Sequence, residues 1–150
     1  MESCFETRRD VVMQQPGIAS FVQVTDQITS DRKLDFSDLE APSFFPFWKN
    51  LVIMKRIVAE DDFVCVFCGT SVVEAFGSEM TGRKLTEIMA AGPTEEIVEH
   101  HLEALSTGGQ TFASGRLYWE HKNFQNFHQI KMPMKRGETV EETLTFICFS

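Results

Sequence analysis

The stretch Gly69–Leu85, GTSVVEAFGSEMTGRKL, holds a helix start, a helix stop and a basic turn, and the rest of the chain is arranged around it. Ser71 followed by Glu74 has the spacing of a capping box. In that motif the hydroxyl takes the amide of Glu74 and the carboxylate reaches back to the amide of Ser71. Val72, Val73 and Phe76 give the helix one apolar side. Gly77 can adopt the left-handed conformation of a helix C-terminus. A helix this short is unstable alone in water, so the flanking strands must support it.

Upstream, Leu51–Ala59 and Phe63–Cys68 are β-type runs separated by Glu60, Asp61 and Asp62, the layout of a tight hairpin. The second run is apolar on both faces, with Phe63, Cys65 and Phe67 on one and Val64, Val66 and Cys68 on the other. Such a strand needs cover on both sides. One cover is an amphipathic helix over residues 16–30, where Ile18, Phe21, Val22, Thr25 and Ile28 recur at helical spacing behind Pro16. A second subunit is the alternative cover for that same outer face. Between helix and hairpin lies a charged connector with a helical turn around Ser37–Leu39, then APSFFPFWKN (41–50), whose prolines forbid a regular α-helix. Phe44, Phe45, Phe47 and Trp48 in that segment are either core or an interface anchor. Residues 1–15 show no period and read as a loosely packed start.

Downstream, Thr86–Met89 reads as a helical turn, and Pro93 opens a long helix with Glu95 and Glu96 near its positive end. That helix runs to about Ser106 and stops at Gly108-Gly109. Strands follow at Thr111–Glu120, Phe124–Met134 and Val140–Phe149, with turns at His121–Asn123 and Lys135–Gly137. Five strands joined by hairpins imply an α+β fold with a five-stranded antiparallel sheet, helices on one face, and the N-terminal amphipathic helix. Residues 1–30 divide off as an extension and residues 31–150 as the domain proper.

At 150 residues the chain is one domain. A hydrophobic fraction of 43% with 14 Phe excludes disorder. A net charge of -8 and a pI near 5.0 argue against nucleic acid, whose nonspecific binding needs Lys and Arg. No apolar run has the length of a membrane span and the N-terminus lacks a signal-peptide core, so a cytoplasmic protein with no membrane contact is expected. The 4 cysteines fit reduced thiols better than a disulfide framework.

This order of elements resembles a PAS domain, and GTSVVEAFGSEMTGRKLTEI resembles the matching segment of the alphaproteobacterial PAS_5 family. The positions that carry the resemblance are Gly69, Thr70, Val73, Gly77, Thr81, Gly82, Arg83 and Leu85. DFSDLEAPSFFPFWKNLVIMKRI is similar to the family's approach to its first strand, and Met132-Pro133-Met134 stands where the family tends to have Pro-Leu. The resemblance implies a noncatalytic sensory or interaction module of bacterial signalling, often a homodimer, with a cleft between sheet and helices. The dimer would form through the N-terminal helix and the outer sheet face. The sequence ends at Ser150, straight after the last strand, so the module is expected to act through an unidentified signalling protein or its own copy.

The implied cleft would be lined by Val73 and Phe76, by Ile97, His101 and Leu105 of the long helix, and by His128 and Met132. His101 falls on the apolar arc of its helix, opposite Glu95, Glu96, Glu99 and Glu103. It is a core histidine with one hydrogen bond or, since haem-binding PAS domains commonly take their iron ligand from this helix, a haem ligand. Haem, a small metabolite or no cofactor at all remain open. Cys65 and Cys68 form a C-x-x-C, but on a regular strand they project to opposite faces and cannot share an ion. Arg83 is a solvated turn residue or an anion contact. No Ser/His/Asp or Cys/His grouping points to an enzyme.

Overall fold

The structure is a computed structural model that describes residues 5–88, 94–116 and 126–150. In chain order it contains α1 (Arg9–Val12), α2 (Pro16–Thr29), β1 (Leu34–Asp35), two 3₁₀ helices (Phe36–Glu40 and Pro42–Asn50), β2 (Leu51–Ile57) and β3 (Asp62–Cys68). Then follow α3 (Thr70–Phe76), α4 (Leu85–Ile88), α5 (Thr94–Thr107), β4 (Thr111–Arg116), β5 (Asn126–Arg136) and β6 (Thr139–Phe149). Pro93, the end of the expected strand at 117–120 and the turn at 121–123 lie outside the described residues.

The sheet runs β1-β5-β6-β2-β3, with β4 also paired to β5. All pairings are antiparallel except the two-residue β1, which adds a sixth, parallel strand at Met134 and Lys135. The fold is α+β, as the hairpin reading expected. Alternation along β5 and β6 sends Ile130, Met132, Met134, Leu144 and Phe146 to one core cluster and Phe127 and Ile147 to another.

Helix α2 covers the first of these faces with Ile18, Phe21 and Val22. Phe21 stacks on Phe146 with ring centroids 4.7 Å apart and meets Phe47 edge-on at 5.4 Å. The apolar stripe of the helix is thereby used within the chain. Helices α3, α4 and α5 lie on the other face.

Three local features differ from the sequence-based expectation. The Ser71–Glu74 capping box does not form: α3 begins at Thr70 with Gly69 as its N-cap and no side-chain cap. Gly69 is there because the chain passes so close to Lys49 that a Cβ would lie 2.3 Å from the Lys49 carbonyl oxygen. Gly77 does close the helix, in the left-handed conformation at φ 79°. The segment after residue 4 is not loose, since Phe5 and Val12 are buried and Glu6 pairs with Ser114. Each supplies a single anchor, which leaves no period to read. Finally, the β2–β3 register shifts between Ile53 and Met54, so Val66 bulges out and is 37% exposed. The bulge brings Cys65 and Cys68 to the same face, against the alternation expected of a regular strand.

Candidate functional site

A cavity of about 90 Å³ lies between the sheet and the α3–α5 layer. The sheet contributes Val52 and Met54 of β2, Phe127, Gln129 and Lys131 of β5, and Thr145 and Ile147 of β6. The helical side contributes Phe76, Met80, Leu85, Ile88, Ile97, His100 and His101, with Phe5 and Arg116 at the margin.

Lys131 is the residue that sets the character of the site. Strand alternation turns it inward beside Phe127 and Gln129, and it is only 2% exposed. Among the described residues its ammonium has no hydrogen-bond or ion-pair partner. Burial alone pushes it down to about 7, because removing a cation from water favours the neutral amine. Thr145 stands directly across the strand pair, and its Oγ1 is buried with no partner. Thr143, one inward position further along β6, shares a 2.8 Å hydrogen bond with His101 Nδ1.

His101 is 4% exposed, and its ring lies 4.9 Å from that of Phe63. Burial, then the nearby Lys131 and His100, hold it well below the usual imidazole range. His100 is lowered mainly by burial and by Lys131, while Glu96 at 4.0 Å pulls the other way. Both rings are therefore neutral at pH 7. The described lining carries Lys131, Arg116 and two imidazoles, and no carboxylate.

Of the residues expected to line a cleft, Phe76, Ile97 and His101 meet at this cavity. Val73 and Leu105 pack against the same core cluster without lining the cavity. His128 and Met132 do not belong to it, because the same alternation that turns Lys131 inward turns them to the opposite face. Met132 packs in the α2 cluster, and His128 bonds Ser114 Oγ and Ser150 Oγ at 2.9 Å each. Both faces of β5 are apolar enough to be core, so the sequence did not say which one faced the cavity. The overlooked signal was the lone inward lysine in FHQIKMPM, with the inward hydroxyls of Thr143 and Thr145 on the neighbouring strand.

The residues present do not fit haem. A cavity of about 90 Å³ is smaller than the roughly 150 Å³ that accepts one benzene, and a porphyrin is far larger than benzene. The Cys65 thiol donates to the Phe67 carbonyl at 3.3 Å and the Cys68 thiol to that of Gly69 at 3.8 Å, and the neighbouring thiol lowers Cys65 and, with burial, raises Cys68. Among the described residues no group of three His, Cys, Asp or Glu side chains could hold a metal ion. Arg83 is exposed, and its backbone carbonyl takes the Cys65 amide at 2.9 Å, which docks the basic turn on the outer edge of β3.

No family model and no curated protein sequence matches the chain. Among solved structures, a domain of an HTR-like protein from Haloarcula marismortui ATCC 43049 aligns with a TM-score of 0.52 at 12% identity, over 66% of this chain and 94% of that one. The fold is PAS-type. An RNA-binding light-oxygen-voltage receptor aligns with a TM-score of 0.49 at 12% identity, over 87% of this chain and 33% of the receptor. In the PAS fold seen here the cavity occupies the cleft between sheet and helices. Among the described residues no helix is long and apolar enough to cross a membrane.

Proposed function

We propose that the chain is a noncatalytic PAS sensory module of bacterial signalling, of the PAS_5 type, cytoplasmic, and that it senses a small molecule in the cavity above the sheet. The observation that carries this reading is Lys131, a buried and unpartnered ammonium on a cavity wall. An uncompensated buried charge destabilises a fold, and perturbed groups of this kind concentrate at binding sites. A ligand that satisfied it would stabilise the closed layer of α3–α5 over the sheet, a change that a partner protein can read.

The test is native mass spectrometry of the freshly purified chain, joined to thermal melts against a panel of small metabolites. A bound mass released on denaturation, or a melting temperature raised by several degrees for one chemical class, is the expected result. No bound mass and no shift across the panel would overturn the sensory reading. Reconstitution with hemin is expected to give no Soret shift, with or without His101→Ala.

A second reading, contact with a signalling partner or a second copy, is favoured by one surface. Phe45 is 56% exposed and Trp48 38%, and their rings meet edge-on at 6.0 Å. Light scattering that gives a monomer at micromolar concentration would remove the second copy from this surface.

A further inference from the structure

The lining of the cavity also points to a class of ligand, an inference that rests on the cavity being a ligand site. Its described walls offer donors without acceptors of matching charge: Lys131 Nζ and the unpaired Thr145 Oγ1 lie on directly opposed residues of β5 and β6. Opposed residues of an antiparallel pair hold their Cβ atoms about 5 Å apart on one side of the sheet, so both side chains project towards the same cavity. A metal cation finds no carboxylate here, and a neutral ligand leaves the ammonium uncompensated. Apart from His100, His101, Gln129 and Arg116 the rest of the wall is hydrocarbon, so the ligand needs an apolar body. The volume limits that body, because a cavity of about 150 Å³ takes one benzene and this one measures about 90 Å³.

We propose that the cavity binds a short-chain monocarboxylate of at most about six non-hydrogen atoms, the longest of which fills the cavity out to its open mouth. Its carboxylate accepts from Lys131 Nζ and Thr145 Oγ1, and its alkyl chain lies among Val52, Met54, Phe76, Met80 and Ile97. Charge-assisted hydrogen bonds of this type are the strong ones, and they compensate the ammonium that no described residue pairs. His101 is already engaged by Thr143 and serves as wall. Arg116, at the end of β4, raises the local concentration of anions at the mouth.

The experiment is calorimetric titration of the full chain at pH 6.5 with sodium butyrate and sodium propionate, against butyramide as the neutral isostere and octanoate as the oversized acid. Butyrate is expected to bind and to raise the melting temperature, butyramide at least 30-fold more weakly, and octanoate more weakly than butyrate. Lys131→Met is expected to lose butyrate binding at least 30-fold while melting no lower than the parent chain. Thr145→Val, nearly isosteric, is expected to weaken it about fivefold and serves as the second variant should Lys131→Met fail to fold. Equal binding of butyrate and butyramide, or butyrate binding that survives in Lys131→Met or is unchanged in Thr145→Val, overturns the carboxylate while leaving the cavity a ligand site. No binding by butyrate or butyramide overturns the proposal; if the wider metabolite panel is also silent, the sensory reading falls with it.

Discussion

The two faces of one sheet are built from alternate residues of the same strands, yet they differ in kind. The face under α2 is mostly hydrocarbon: Ile18, Phe21 and Val22 close over Ile130, Met134, Leu144 and Phe146, all essentially inaccessible. The face under α3–α5 puts Lys131, Thr143, Thr145 and His101 among its apolar side chains and leaves a cavity. Neighbouring residues on a strand thus serve opposite ends. Ile130 and Met132 hold the fold together, while Lys131 between them is buried on the cavity wall and is the group on which the proposed site rests.

The largest effect belongs to the closed face. Phe21→Ala removes a ring that touches Phe44, Phe47 and Phe146, and a loss of about 3–5 kcal/mol in urea unfolding is expected. A loss under about 1 kcal/mol would mean that α2 is a loose cover and that the two faces are alike.

Next in size is the opposite sign on the open face. Lys131→Met should raise stability by about 2–4 kcal/mol below pH 7. The sign follows from proton binding. With the folded amine lowered from 10.5 to about 7, the unfolded chain holds a proton between those values that the folded chain has released, so the stability of the parent chain rises as pH rises from about 7 to 10.5. Below 7 both states are charged and the cost of burial is constant. The gain from Lys131→Met should therefore be greatest below pH 7 and fade towards pH 10.5. The groups facing this lysine are His100 and His101 from α5, Arg116 from β4 and Thr145 from β6, with Glu96 behind His100. Urea midpoints of both chains between pH 6 and 10 check it, and a destabilised Lys131→Met would break the contrast between the faces.

Smaller again is the acid limb. His101 is held neutral by burial, so as pH falls below about 6.5 the unfolded chain takes up a proton that the folded chain refuses, and stability falls. A loss on the order of 1–2 kcal/mol between pH 7 and pH 5 is expected in the parent chain, with His101→Gln removing the larger part and His100 and His128 the rest. An unchanged slope in His101→Gln would place the acid sensitivity elsewhere. The smallest effect is at the surface: Phe45→Ser should change stability by less than about 0.5 kcal/mol while lowering any self-association seen by light scattering.

The elements were legible where local chemistry decides them. The hairpin, the long helix with its inward His101, the glycine stop at Gly77 and the stripe of α2 all follow from period and turn residues, and with them the PAS-type fold. What escaped depends on contacts between distant segments. Gly69 caps α3 because of the chain passing at Lys49, not because of Ser71. The bulge at Val66 exists only in the pairing of β3 with β2, and it overturns the parity that kept Cys65 and Cys68 apart. The site was half legible. Phe76, Ile97 and His101 came from the helical side, where one face is plainly apolar. On β5 both faces are apolar, so Met132 and His128 were assigned to a cavity they turn away from, and the charge of Lys131 concealed that the strand buries it.

The proposed binding face stands or falls with the state of one ammonium. Its titration, followed by nitrogen-detected NMR of the Lys131 Nζ in the full chain, is the direct measurement. A midpoint near 7 is expected, moving upward when butyrate is added. A midpoint near the ordinary 10.5, unmoved by butyrate, would mean that the amine reaches water and that the face under α3–α5 is only a less tidy version of the face under α2.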